Sequence, residues 1–345
     1  MLLAVAIASV LVWRSVRQHQ ANSARKIAVP PGVYSLEQVR LGGVAQWILI
    51  RGHDTSLPVI LFLHGGPGVP EMPFEYVNAL LEQHFIVVEW DQRGAGKSFD
   101  AKIAPESMRF DQLVSDAREL VELLRARFGQ AQIFLAAHSS GTVVGARLVA
   151  AAPQLFRAYV GISQVADMQQ SEMFLYNLAL RAAQTSSNRE AQEELREIGP
   201  PPFADRRELQ ISQKWVNHFQ PDALGAISSQ RAKLMFLSPD STLFDFVRLV
   251  RGVKFSFEHL WRELFAVDLF KELPRLEVPV YFVEGRHDRV VTGEVAAKYF
   301  DGLDAPRGKQ LIWFENSGHW PQLDEPAKFQ DTLVNRVLRD SSFRQ

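Results

Sequence analysis

From about residue 35 onward, short apolar runs alternate with longer amphipathic stretches, the order expected of strands and helices in a mostly parallel sheet. Residues 36–41 and 44–51 flank Gly42-Gly43 and read as two strands joined by a two-residue hairpin. Residues 59–63 and 85–88 are continuous apolar runs too short for helices, which suits central strands buried on both faces. Within residues 111–128, Leu113, Val114, Ala117, Leu120, Val121 and Leu124 recur at helical spacing, and Gly129 follows as a stop signal. Residues 133–136 predict the next strand, 142–152 a helix ended near Pro153, and 159–162 another strand. Between about 166 and 270 the alternation stops, and helix-like segments rich in Phe, Leu and charge are broken at Pro200, Pro201, Pro202 and Pro221. Strand patterns resume at 278–283 and 310–314, each followed by a helix, at 293–300 and 325–338.

The expected fold class is therefore α/β: a mostly parallel, eight-stranded sheet with helices on both faces and an inserted helical cap. The expected division is residues 27–165 for the first part of the core, 166–270 for the cap and 271–345 for the second part. A length of 345 residues admits this arrangement as readily as two separate domains.

Residues 1–26 differ in kind. Residues 2–13 are apolar apart from Ser9 and are followed by Arg14, Arg17, Arg25 and Lys26, which reads as a membrane-targeting element. A dozen helical residues reach about 18 Å, short of a hydrocarbon core of roughly 30 Å. A cleaved signal peptide is the competing reading, weakened because no basic residue precedes the run and the small residues Ala21 to Ala24 lie far downstream. The reading favours a retained single-pass anchor, with the basic cluster keeping the rest of the chain on the cytoplasmic side.

Composition narrows the function. Lys plus Arg number 38 against 39 Asp plus Glu, so the net charge of -1 leaves no electrostatic footprint for nucleic acid. The absence of cysteine removes disulfides, thiolate metal sites and cysteine nucleophiles together. No pair of histidines shows metal-ligand spacing with a carboxylate, so neither a metal nor a cofactor is expected. Gly94-Ala95-Gly96-Lys97-Ser98 resembles the end of a phosphate loop, but Asp91 stands where that loop needs its first glycine.

The chemistry gathers after strands. A nucleophile at a sharp strand-to-helix turn needs small residues two places before and two after it, and Ala137-His138-Ser139-Ser140-Gly141 meets that rule for Ser139 but not for Ser140. An oxyanion must be met by backbone amides, one from the residue after the nucleophile, here Ser140, and one from the loop after the third strand. That loop is His64-Gly65-Gly66-Pro67-Gly68, where Gly66 is the preferred donor and Gly65 the next. Asp288 follows the 278–283 strand and His319 the 310–314 strand, the chain order Ser, Asp, His that an acyl-transfer triad on such a sheet uses. Asp167 is the alternative carboxylate. His138 and His287, each beside one of these residues, are expected to be structural.

His64 to Gly68 reads HGGPG and Asp91 to Ser98 reads DQRGAGKS, and both resemble the prolyl iminopeptidase family. The resemblance covers about residues 36–152 and 278–338. It implies an α/β-hydrolase fold, removal of N-terminal proline from peptides, a triad of Ser139, Asp288 and His319 beneath a helical cap, and the HGGPG loop as oxyanion site. It also implies a mainly structural role for Asp91 and Arg93. The elbow departs from the family's Gly-Gly-Ser-Trp-Gly, and no cap glutamate matches a family motif, although Glu172, Glu194, Glu258 and Glu263 are available. A serine aminopeptidase acting on small peptides is thus the leading expectation. A carboxylesterase or lipase-like hydrolase of small esters is the alternative, and a non-catalytic binding protein on the same fold stands further off.

Overall fold

The computed structural model describes residues 2–220 and 232–342. Its centre follows from apolar runs that have no polar face. The hairpin strands β1 (Val33–Leu41) and β2 (Val44–Gly52) meet at Gly42-Gly43. In β3 (Val59–Leu63), Val59, Leu61 and Leu63 enter one hydrophobic cluster, while Ile60 and Phe62 enter a second cluster on the opposite face. Such a strand must be interior, because only an interior strand is covered from both sides. It lies between β4 (Ile86–Asp91) and β5 (Ile133–His138), each buried at every position.

The sheet continues with β6 (Phe156–Ile162), β7 (Val280–Gly285) and β8 (Lys309–Phe314), in the order β1-β2-β4-β3-β5-β6-β7-β8. β1 with β2 and β2 with β4 pair antiparallel, and every other pairing is parallel. The expected eight-stranded, mostly parallel sheet is present. Boundaries shift where strands end in buried polar residues: β4 runs on through Glu89 to Asp91 and β5 to His138, which an apolar run cannot announce.

The N-terminal reading is corrected. Helix α1 (Leu2–Ala24) does not stop at Trp13, and no helix among the described residues is long and apolar enough to cross a membrane. Its second half is polar and binds the protein itself. The buried Arg14 guanidinium donates to the carbonyls of Phe236 (2.8 Å) and Ser241 (2.6 Å), and Gln18 donates to the Ser241 carbonyl at 3.1 Å. Arg14, one of the charges that the sequence suggested would flank a bilayer, is thus spent on backbone carbonyls of this chain.

Helices cover both faces. α2 (Phe110–Phe128) and α3 (Gly141–Ala151) add Leu113, Leu120, Leu124, Val143 and Leu148 to the first cluster, each such burial contributing about 1.5–3 kcal/mol. Between β6 and β7 the chain runs through α4 (Met168–Thr185), α5 (Arg189–Ile198), α6 (Arg206–Phe219) and α7 (Leu243–Phe265). Asp167, Asn188 and Asp205 start the first three of these by accepting from backbone amides of the first turn. Leu175, Ala179, Leu195 and Trp215 give α4, α5 and α6 a small core of their own. The break expected at Pro200, Pro201 and Pro202 separates α5 from α6, whereas Pro221 lies outside the described residues. After β7, α8 (Gly293–Gly302) returns to the first cluster through Val295 and Tyr299. α9 (Pro326–Thr332) and the turns beyond it give Phe329, Leu333 and Val337 to the second.

Candidate active site

Parallel strands deliver their loops to one edge of the sheet, so residues far apart in sequence meet at the carboxyl ends. Ser139 follows β5 directly. Its φ of 51° is left-handed, a conformation a serine adopts only when its surroundings impose it. Three contacts do so here: its amide donates to Ile162 O (2.9 Å), and its carbonyl accepts from the Thr142 amide (2.8 Å) and hydroxyl (2.6 Å). The turn points Oγ at His319 Nε2, 2.9 Å away.

His319 sits in the loop after β8, and its Nδ1 lies 2.8 Å from Asp288 Oδ2 in the loop after β7. These loops touch through backbone: a Cβ added at Gly285 would stand 1.9 Å from Gly318 O. The amides of Val290 (2.8 Å) and Val291 (3.0 Å) fill the other Asp288 oxygen. Burial alone would raise the Asp288 carboxyl. The histidine beside it, the hydrogen bond to that ring and the two amides outweigh burial and hold the carboxyl below its ordinary value. An ionised Asp288 fixes the imidazole with its proton on Nδ1 and leaves Nε2 to accept the Ser139 proton.

Asp167 is not part of this chain of contacts. It caps α4, accepting from the Gln170 amide at 2.9 Å and from the Gln170 side chain at 2.7 Å. His287 is exposed and meets Ser317 only through its backbone amide.

The Gly65–Gly68 loop packs directly on the turn that carries Ser139. A Cβ at Gly65 would lie 2.6 Å from Ser139 Cβ and 2.8 Å from His138 O, so a bare backbone is what lets the loop reach the serine. Ser140 immediately precedes α3, where the first amides of a helix have no intrahelical acceptor. The backbone of the Gly65–Gly68 loop and the first amides of α3 thus both lie beside Ser139. His64 anchors the loop from behind: its Nε2 accepts the Gln92 amide (3.1 Å) and its Nδ1 faces Gly65 O (2.9 Å). Burial lowers this imidazole to about 4, so it is neutral. Asp91 accepts the Lys97 amide (2.7 Å), and Arg93 forks onto Asp116 (2.8 and 3.0 Å). Both brace the loop after β4, as the sequence suggested.

One arrangement was not visible in the sequence. His138 Nδ1 lies 2.6 Å from Glu71 Oε1, and its Nε2 lies 2.7 Å from the carbonyl of His319. Gln322 donates to the other Glu71 oxygen at 3.1 Å, and the Ser163 hydroxyl donates to the same His319 carbonyl at 3.2 Å. Burial alone would raise Glu71, but His138 and its hydrogen bond draw the carboxyl below its ordinary value. Through its two ring nitrogens His138 thus links the backbone of His319 to a buried carboxylate. His138 packs 4.8 Å from the His319 ring and 4.4 Å from the Trp320 ring. The expectation that it is merely a neighbour pointing away is replaced by direct contact. Among the described residues no group of His, Cys, Asp and Glu could hold a metal ion.

The family model for the alpha/beta hydrolase fold matches residues 58–326. The "Probable aminopeptidase YbaC" of Bacillus subtilis (strain 168) is 31% identical over 306 residues, which span 86% of this chain and 94% of that protein. Among solved structures, a proline iminopeptidase-related protein of Thermus thermophilus has a TM-score of 0.64 at 20% identity, covering 89% of this chain and 98% of its own. A Vigna radiata epoxide hydrolase mutant has a TM-score of 0.58 at 21% identity, covering 89% of this chain and 99% of its own. At such identities these two structures share a fold, and their names point to different reactions, so the reaction must be argued from side chains.

Proposed function

The chain belongs to the α/β-hydrolase fold family, and on that footing we propose that it is a serine hydrolase working through an acyl-enzyme, an aminopeptidase that releases N-terminal proline or a similar residue from peptides. The observation that carries this reading is the unbroken run of hydrogen bonds from Asp288 through His319 to Ser139, at 2.8 and 2.9 Å. Ser139 Oγ attacks the scissile carbonyl while His319 Nε2 takes its proton. The carbonyl oxygen becomes an anion that the Gly66 and Ser140 amides stabilise, each such donor worth about 3–4 kcal/mol of the barrier. Collapse of the tetrahedral adduct expels the amine, which receives the proton from His319. Water then enters by the same route in reverse and frees Ser139.

A serine at position 139 argues against epoxide opening, which would want a carboxylate nucleophile there. The HGGPG and DQRGAGKS segments, together with the likeness to a probable aminopeptidase, support an amide substrate with a free amino terminus.

The test is a paired assay on the full-length chain, comparing a prolyl arylamide, its N-blocked form and a short-chain aryl ester. Arylamide cleavage that vanishes on blocking is the expected result. Ester cleavage alone would replace the aminopeptidase with an esterase, and full activity in Ser139→Ala would overturn the serine mechanism.

A further inference from the structure

Away from Ser139, a cavity of about 390 Å³ lies between α4, α6 and the C-terminal end of α7. Its apolar wall is formed by Phe203, Leu209, Trp261 and Phe265. Glu172 also lines it, only 2% exposed, and its Oε2 has no hydrogen-bond partner among the described residues. Gln213 donates to this carboxylate from α6.

A buried acceptor without a donor is costly, and a carboxylate is best satisfied by a cationic donor. Three other glutamates of this helical stretch are engaged: Glu194 holds Lys214, Glu258 lies near Lys254, and Glu263 accepts from the Phe110 amide. Arg262, the other charged residue lining the cavity, is exposed and forms no ion pair with Glu172. Trp261 and Phe265 meet edge to face at 5.3 Å, and aromatic faces attract both apolar groups and cations.

We propose that this cavity is a binding site for a small organic ammonium ion, with Glu172 Oε2 receiving the N–H donors and Trp261, Phe265, Phe203 and Leu209 holding an apolar body. A volume near 390 Å³ is at the small end of ligand sites, so the ligand is compact. Burial pushes the Glu172 carboxyl up to about 7 against the hydrogen bond from Gln213, so at pH 8 it is mostly ionised and ready for a cation. Ser139, Asp288 and His319 do not line the cavity, and the inference does not rest on the hydrolase reading.

The probe is benzylamine, protonated at pH 8, with benzyl alcohol as its neutral counterpart, each titrated calorimetrically into the full-length chain. One molecule of benzylamine should bind per chain, at least about tenfold tighter than the alcohol, in line with a charge-assisted hydrogen bond. Glu172→Gln, the same size, should lose about that tenfold for the amine and leave the alcohol unchanged. Trp261→Ala should weaken both probes, and it keeps the question answerable should the glutamine variant fail to fold. Equal affinity for amine and alcohol, amine binding untouched by either substitution, or no amine binding at all would overturn the site.

Discussion

Arg25 should hold the region after α1 to the core through charge, and Arg25→Met isolates that role. Its guanidinium bonds both Glu75 and Glu82, whose side chains are 2% and 1% exposed, while Arg51 donates to Glu82 (2.9 Å) and to the carbonyl of Arg25 (2.7 Å). Burial raises the Glu75 carboxyl even with Arg25 beside it, whereas Glu82, served by two guanidinium groups, is held below its ordinary value. Methionine keeps the side-chain volume and removes the charge. Breaking a buried pair in this way costs about 3–5 kcal/mol, a fall of roughly 4–7 °C in melting temperature for a chain of this size. The pH dependence separates charge from packing. With Arg25 in place the Glu75 carboxyl is already raised to about 8, so both proteins keep it mostly protonated below that pH; without Arg25 it rises further, and the difference between the two proteins opens only above about pH 8. The penalty should therefore grow between pH 8 and pH 9.5, by at most about 2 kcal/mol for one proton over one and a half pH units. Urea denaturation of both proteins at the two pH values measures it. A loss under about 1 kcal/mol at pH 8, or the same loss at both, would refute the argument. It follows that deleting residues 1–26 removes this buried cation, and activity is better tested on the full chain.

Three further substitutions probe the site. Asp288→Asn should lower kcat by about 10⁴ with the fold retained, because the amide no longer selects the Nδ1–H form of His319, and arylamide kinetics beside a melting curve check both halves. Gly65→Ala sets a methyl 2.6 Å from Ser139 Cβ, so hydrolysis should fall by at least about 10²-fold, and unimpaired kcat/KM would show that the loop yields. Glu71→Gln takes the anion from the His138 brace and should reduce kcat about tenfold with KM unchanged, whereas an effect on KM alone would mean that Glu71 shapes the substrate pocket instead.

What was legible in the sequence is what local rules govern. Apolar runs at 59–63 and 133–136 announced interior strands because a two-face burial leaves no polar position. The order Ser139, Asp288, His319 was legible because each follows such a strand, and parallel strands end on one edge. The pairing of His319 with Asp288 rather than Asp167 was a choice between loops, and only the folded chain shows Asp167 occupied as the cap of α4. The brace from Glu71 through His138 to the His319 carbonyl joins positions 67 and 181 residues apart, a separation over which no periodicity runs. The first helix was misjudged for the same reason. Hydropathy counted the apolar residues before Trp13, but carbonyls more than 200 residues away, at Phe236 and Ser241, receive Arg14. Local sequence determined the strands, the turns and the chemical groups at their ends. Which buried charge meets which partner was decided by tertiary structure, because a charge leaves water only where a complementary group is waiting, and that group is set by the whole fold.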